Sequence, residues 1–131
     1  MIFWNKRGIT VLNIIIWVVI IGAIVIYAPK IYNYYIIENT KSMIKANIET
    51  VKNEINSELI NRHPVLIWND IDRIVKDLKM QNPVSKETQV KNGTGIPGAV
   101  VVYFDGVNTF DIDGIDPDGK NMNVNISIKQ Q

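Results

Sequence analysis

The sequence predicts an α+β protein in which a long N-terminal helix, hydrophobic in its first half, packs on a small C-terminal three-stranded antiparallel sheet. Two observations predict this class. Residues 9–61 carry a helical pattern that is first apolar and then amphipathic, and beyond residue 98 apolar residues recur at every second position. The second period is that of strands with one buried face. A chain of 131 residues has room for one long helix and one small globular domain.

The helix starts with an apolar segment, residues 9–29, which has no charged side chain before Lys30. About twenty residues of helix reach roughly 30 Å, the thickness of a bilayer hydrocarbon core. Lys6 and Arg7 precede the segment, so the positive-inside rule predicts a cytoplasmic N-terminus and places the rest of the chain outside. A removed signal peptide explains the segment less well, because its apolar region is usually about 7–15 residues and ends at a small-residue cleavage site.

Residues 30–61 are predicted to extend the helix as an amphipathic segment. Six apolar residues follow one another at intervals of 7, 4, 3, 4 and 4, which is helical spacing. Pro64 ends the run, since the residue before a proline disfavours helical backbone. A helix from about Thr10 to Asn61 would measure roughly 78 Å, so half of it must lie outside a membrane with its stripe covered. The stripe consists of Ile37, Ile44, Ile48, Val51, Ile55 and Leu59.

Residues 62–131 are predicted to form a globular head, a short helix plus a β-meander. The helix is expected over about residues 65–79 and is ended by Asn82-Pro83. A strand run over 98–104 leads into Asp105-Gly106, a hairpin signal. Strands alternate apolar and polar residues. This alternation continues at Phe110 and Ile112 for the second strand, and at Met122, Val124, Ile126 and Ile128 for the third.

Composition excludes several classes of function. The chain has no cysteine, so it must be stabilised by packing, calcium or neighbouring subunits rather than by disulfides. Its net charge of +1 comes without a basic patch, so no nucleic-acid partner is predicted. No nucleophile–base pair, phosphate-binding glycine loop or metal-ligand spacing occurs, and the lone His63 stands beside Pro64 as a helix-terminating residue. We therefore expect no enzyme and no catalytic residue.

One acidic turn raises the alternative of a calcium site. Four carboxylates fall within eight residues, and calcium prefers oxygen ligands of this kind. The spacing is not that of an EF-hand, however, and Asp-Pro-Asp-Gly is ordinary turn chemistry. We expect a structural turn without a cofactor and keep calcium as the alternative. The candidate ligands are Asp111, Asp113, Asp116 and Asp118.

Residues 6–35, roughly a quarter of the chain, resemble the type IV pilin and pseudopilin family. Lys6-Arg7-Gly8 is followed by Ile9-Thr-Val-Leu-Asn13, which is similar to the family's processing motif at the start of its hydrophobic helix. Gly22 stands where the family has a helix glycine, and the segment from Pro29 to Tyr34 resembles the family's Pro-x-Tyr-x-Asn-Tyr. The resemblance implies a class III signal peptide: residues 1–8 would be a leader, cut after Gly8 by a prepilin peptidase, and the new amine of Ile9 would be methylated.

The same resemblance implies a function. A pilin is stored in the membrane and then polymerised by the assembly machinery into a helical extracellular filament, so residues 9–29 would form a transmembrane and filament-core helix and the partners would be copies of the same chain. Asn13, Gly22 and Pro29 are the candidate assembly residues, and the family implies local melting of the helix between Gly22 and Pro29. The family has a glutamate where this chain has Asn13, a departure that favours a minor or tip subunit.

Other functional hypotheses remain open for the same pattern. A type II secretion pseudopilin would be part of a transport machine, and calcium at the acidic turn would favour it. A non-polymerising, membrane-anchored extracellular domain would keep its leader. The resemblance also leaves the role of a filament open among twitching, adhesion, DNA uptake and secretion.

Overall fold

The computed structural model describes residues 6–130, with side chains from Thr10 onward. It has the predicted α+β architecture, a long N-terminal helix followed by a small three-stranded antiparallel sheet. The chain divides into two compact units between Ile36 and Ile37, and the first helix contributes residues to both. In chain order the elements are α1 (Lys6–Asn61), α2 (Pro64–Asn69), α3 (Ile71–Asp77), β1 (Val100–Phe104), β2 (Thr109–Gly114) and β3 (Ile126–Lys129).

The second half of α1 forms one side of the core of the C-terminal unit. Four residues of the predicted stripe are fully buried, namely Ile44, Ile48, Val51 and Ile55. Leu59 packs against the same core and is partly buried, whereas Ile37 is exposed. The sheet contributes the facing residues Val100, Val102, Phe110, Ile112 and Ile128. The striped helix therefore covers the apolar face of the sheet, as predicted.

Gly114, the last residue of β2, allows the helix to approach the sheet closely. A Cβ atom at this position would overlap Cγ2 of Ile44 and would lie 3.1 Å from Cδ1 of Ile48. Any larger residue would therefore overpack the contact between α1 and β2.

The single helix predicted over residues 65–79 is instead two short helices, and this expectation was wrong. His63 caps α2 by accepting a hydrogen bond from the backbone N–H of Val65 at its Nδ1, 3.3 Å away, and Pro64 occupies the first turn. The break falls at Asp70, whose φ and ψ of −101° and 6° are not helical. Two arginines hold the Asp70 carboxylate at this position, Arg62 at 2.7 Å and Arg73 at 2.9 Å. The second helix ends at Asp77, and Lys79 has a positive φ of 53°.

The three strands form a meander in the order β1-β2-β3. In the hairpin between β1 and β2, Gly106 has a φ of +86°, and the Asp105 carboxylate accepts the backbone N–H groups of Val107, Asn108 and Thr109. The third strand is shorter than its alternation predicted. Asn123 and Asn125 have φ values of 58° and 52°, a left-handed backbone that cannot continue a strand.

Side-chain amides cover part of the outer edge of β1. Gln89 donates to the carbonyl of Val100 at 3.0 Å and accepts its N–H at 3.2 Å, and Asn92 makes the same pair of hydrogen bonds with Val102 at 2.8 and 2.9 Å. Each amide thus replaces one residue of a missing strand. An edge satisfied in this way is a poor template for pairing with another chain.

Candidate membrane-spanning and assembly site

The first half of α1 exposes an apolar surface that carries no charged side chain up to Pro29, and we call its described part the apolar segment (residues 10–29). Its large aliphatic and aromatic side chains are exposed, and nothing within the described chain buries them. By length and composition this helix can cross a membrane, a property that signal sequences near an N-terminus share. The most apolar stretch of this helix is not buried within the described structure.

The predicted processing residues lie at the N-terminal end of the described part of α1. Lys6, Arg7, Gly8 and Ile9 have helical backbone, while their side chains and the rest of the predicted leader, residues 1–5, fall outside the described part of the structure. Cleavage between Gly8 and Ile9 and methylation of Ile9 stay predictions.

The three predicted assembly residues lie apart along the helix. Asn13 is exposed, and its amide has no hydrogen-bond partner among residues 10–130. A Cβ atom added at Gly22 would meet nothing within 4 Å, so no contact inside the chain requires a glycine. Pro29 lies inside α1, which continues through it, although proline has no N–H for the carbonyl of Val25. The melting that the resemblance implies around these residues stays a prediction about the filament.

Three of the four candidate calcium ligands have separate structural roles, and Asp118 takes part through its backbone N–H alone. Asp113 is buried and accepts the N–H groups of Gly114 at 2.8 Å, Val124 at 3.0 Å and Asn123 at 3.2 Å. Asp116 accepts the N–H groups of Asp118 and Lys120, each at 2.9 Å, and so forms the turn. Asp111 accepts a short hydrogen bond from the Ser127 hydroxyl across β2 and β3.

These roles do not make a metal centre. Within the described residues, no group of three or more histidine, cysteine, aspartate or glutamate side chains is placed to hold a metal ion. The turn of Asp116 and Asp118 is explained by its own backbone hydrogen bonds, and Asp113 fixes the segment that returns to β3. The calcium alternative gains no support from this geometry.

Sequence reasoning missed the charged cluster where α1 meets α2 and α3. Arg62 bridges Glu58 on α1, at 3.0 Å, and Asp70, at 2.7 Å, while Arg73 binds Asp70 and Asp77. The hydrogen bonds from Arg73 and Arg62 hold the pKa of Asp70 below its ordinary value of 3.8. The sequence signal was the opposite charge of Arg62 and Asp70, which lie eight positions apart on either side of Pro64. It did not predict their pairing, because the pairing depends on the turn between the helices.

An open groove of about 480 Å³ lies between the end of α1 and β3. Its lining consists of Asn56, Leu59, Ile60, Lys129 and Gln130. These side chains offer amides, one ammonium group and aliphatic surface, a set without a nucleophile and its base. The large apolar side chains of the apolar segment, by contrast, are exposed within the described structure.

No protein-family model, curated protein or solved structure matches this chain.

Proposed function

We propose that this chain is a structural subunit of a type IV pilus, stored in the membrane and polymerised into a helical extracellular filament through residues 9–29. The observation that carries the proposal is the division of α1 into two halves. The C-terminal unit buries its own apolar face in a complete core, while the apolar segment of the same helix has no cover in the chain. This division fits a subunit whose apolar helix moves from the membrane into a filament while its C-terminal unit stays folded in the same way.

Assembly then exchanges one apolar environment for another. In the membrane, lipid covers the segment; in a filament, copies of the same helix cover it. Contacts between different faces of successive copies do not close on themselves, and this symmetry produces fibres. Before assembly the N-terminus is cytoplasmic and the C-terminal unit lies outside the cytoplasmic membrane, as Lys6 and Arg7 predict.

The residues at the start of the helix support this assignment through their chemistry. Gly8 has no side chain and lies before Ile9, the proposed new N-terminus after cleavage by the peptidase. Asn13 is less costly to keep in hydrocarbon than a carboxylate, because it carries no charge. It can also accept a hydrogen bond from an ammonium group through its amide oxygen.

The neutral Asn13 also supports a second candidate, a minor pilin or a single-pass anchored domain that does not polymerise. A carboxylate would attract the Ile9 amine of a neighbouring subunit, whereas an amide supplies no charge for this docking. Calcium at the acidic turn would favour the pseudopilin alternative, and the separate roles of Asp113 and Asp116 give it no such support.

Changing Gly8 tests the filament proposal. Gly8→Val should leave an uncut, membrane-retained precursor and abolish filaments, because a side chain at this position would block the peptidase. N-terminal mass spectrometry of protein from sheared surface filaments is the measurement, with wild-type chains expected to begin at a methylated Ile9. Gly22→Ala, in the same helix but away from the cut, should be processed normally. Filaments that retain residues 1–8 would defeat the proposal, and surface protein with an intact leader but no filaments would favour the anchored domain.

A further inference from the structure

Every side chain between Thr10 and Ala28 that can form a hydrogen bond falls on one face of α1. Two of the four, Asn13 and Trp17, stand four residues apart, and Tyr27 follows ten residues later. These intervals are combinations of the three- and four-residue steps that keep residues on one helix face. Isoleucines fill the intervening positions of the same pattern. We call this face the polar seam, and it consists of Thr10, Asn13, Trp17, Ile20, Ile24 and Tyr27.

The opposite face of the helix is different. Ile15, Gly22 and Pro29 follow one another at intervals of seven residues on the side away from the seam. Its side chains form no hydrogen bonds, and its two irregular residues are the glycine and the proline. The apolar segment therefore has two distinct faces, although its overall composition is uniformly hydrophobic.

Asn13 indicates what covers the seam. An unsatisfied amide in hydrocarbon is costly, and the Asn13 amide has no partner among the described residues. An amide both donates and accepts hydrogen bonds, so another amide can satisfy both of its functions. Residues 10–29 contain no second amide side chain. A second copy of the chain inserted with the same topology would supply one at the same depth.

We propose that two copies of this chain pair in the membrane as a parallel dimer through the polar seam, with the two Asn13 amides hydrogen-bonded to each other. The same residues of both copies form this contact, so it closes around a two-fold axis and does not polymerise. It is a contact distinct from that of a filament, and it does not depend on the filament proposal.

Disulfide cross-linking tests the orientation of the seam, because the chain contains no cysteine of its own. Ile24→Cys places a thiol on the seam, and Ile26→Cys places one about 200° around the helix and only about 3 Å further along it. The two isoleucines are 58% and 59% exposed, so access in the monomer does not distinguish them. With the full-length chain in membranes that lack a prepilin peptidase, a lipid-soluble oxidant should give at least about fivefold more dimer with Ile24→Cys.

The role of the amide is tested in the Ile24→Cys chain. Asn13→Leu should lower dimer association roughly fivefold to thirtyfold, the range of polar contacts between model membrane helices, whereas Asn13→Gln should retain most of it. In the uncut chain Ile9 has no free amine, so Asn13 cannot be acting through that group. Equal cross-linking at positions 24 and 26, or an unchanged yield in Asn13→Leu, would overturn the proposal. Filaments of the processed chain are scored separately, so this failure would leave the proposed function untouched.

Discussion

The apolar side chains of α1 are exposed over residues 10–36, whereas Ile44, Ile48, Val51 and Ile55 of the same helix are fully buried. Both halves use the same aliphatic residues, and they differ in arrangement. The first half carries apolar residues on every side, so one neighbouring sheet cannot cover it. The second half carries its buried apolar residues in one stripe, which packs against the sheet and the two short helices. The arrangement of apolar residues along a helix therefore decides whether the rest of the chain can bury them.

Truncation of one isoleucine in each half gives the largest expected difference. Ile48→Ala should destabilise the C-terminal unit by about 2–5 kcal/mol, because it leaves a cavity between α1 and the sheet. Ile24→Ala should change the stability of that unit by less than about 0.5 kcal/mol, because Ile24 does not touch its core. Urea unfolding of the full chain in detergent micelles, followed by near-ultraviolet circular dichroism, measures both. Equal effects would show that the apolar segment takes part in the core.

Gly114, which faces α1, and Gly22, which lies within α1, give a smaller difference of the same kind. Gly114→Ala should destabilise the C-terminal unit by about 1–3 kcal/mol, because the added Cβ overlaps Cγ2 of Ile44. Gly22→Ala should leave the unit unchanged, since its added Cβ meets no atom within 4 Å. The same unfolding experiment applies. In an Ile44→Ala background the Gly114→Ala penalty should largely disappear, and a penalty that persisted there would contradict this contact as its cause.

Lowering the pH should give the smallest difference in stability between the C-terminal unit and the apolar segment. Backbone N–H groups of Val107 and Thr109 lower the pKa of Asp105, and arginines lower that of Asp70, both from 3.8. A carboxyl whose pKa is lower when folded contributes stability above pH 3.8 and loses it as the pH falls through the folded value. The urea concentration at which half of the C-terminal unit is unfolded should therefore stay constant between pH 7 and about pH 5 and fall below about pH 4.

Asp105→Asn is the matched variant for this test, because the amide oxygen can still accept the turn's N–H groups but does not titrate in this range. Its acid decline should be shallower than that of the wild type. The apolar segment has no acidic or basic side chain between Thr10 and Pro29, so its helical signal in micelles should not change with acid. An acid decline as steep in Asp105→Asn as in the wild type would assign the effect to other carboxyls.

The sequence determined the elements whose signal is local and repeated. The apolar segment, the stripe from Ile44 to Leu59 and the strands around Val102 and Ile112 follow from periodicity, because burial on one face imposes a fixed spacing along a helix or strand. The Asp105-Gly106 turn follows from the conformational freedom of glycine at a positive φ. The α+β class was therefore predictable before the fold was known.

The tertiary structure decided what depends on residues distant in the chain. The break at Asp70 rests on Arg62 and Arg73, and the start of β3 at Ile126 rests on left-handed asparagines, of which Asn123 donates its N–H to Asp113. Neither has a periodic signal, because each depends on hydrogen bonds or ion pairs that form only once the chain has folded. The roles of Gly114 and of the separate aspartates belong to this group too: close approach and shared ligation are properties of distances in space, which spacing along the sequence does not fix.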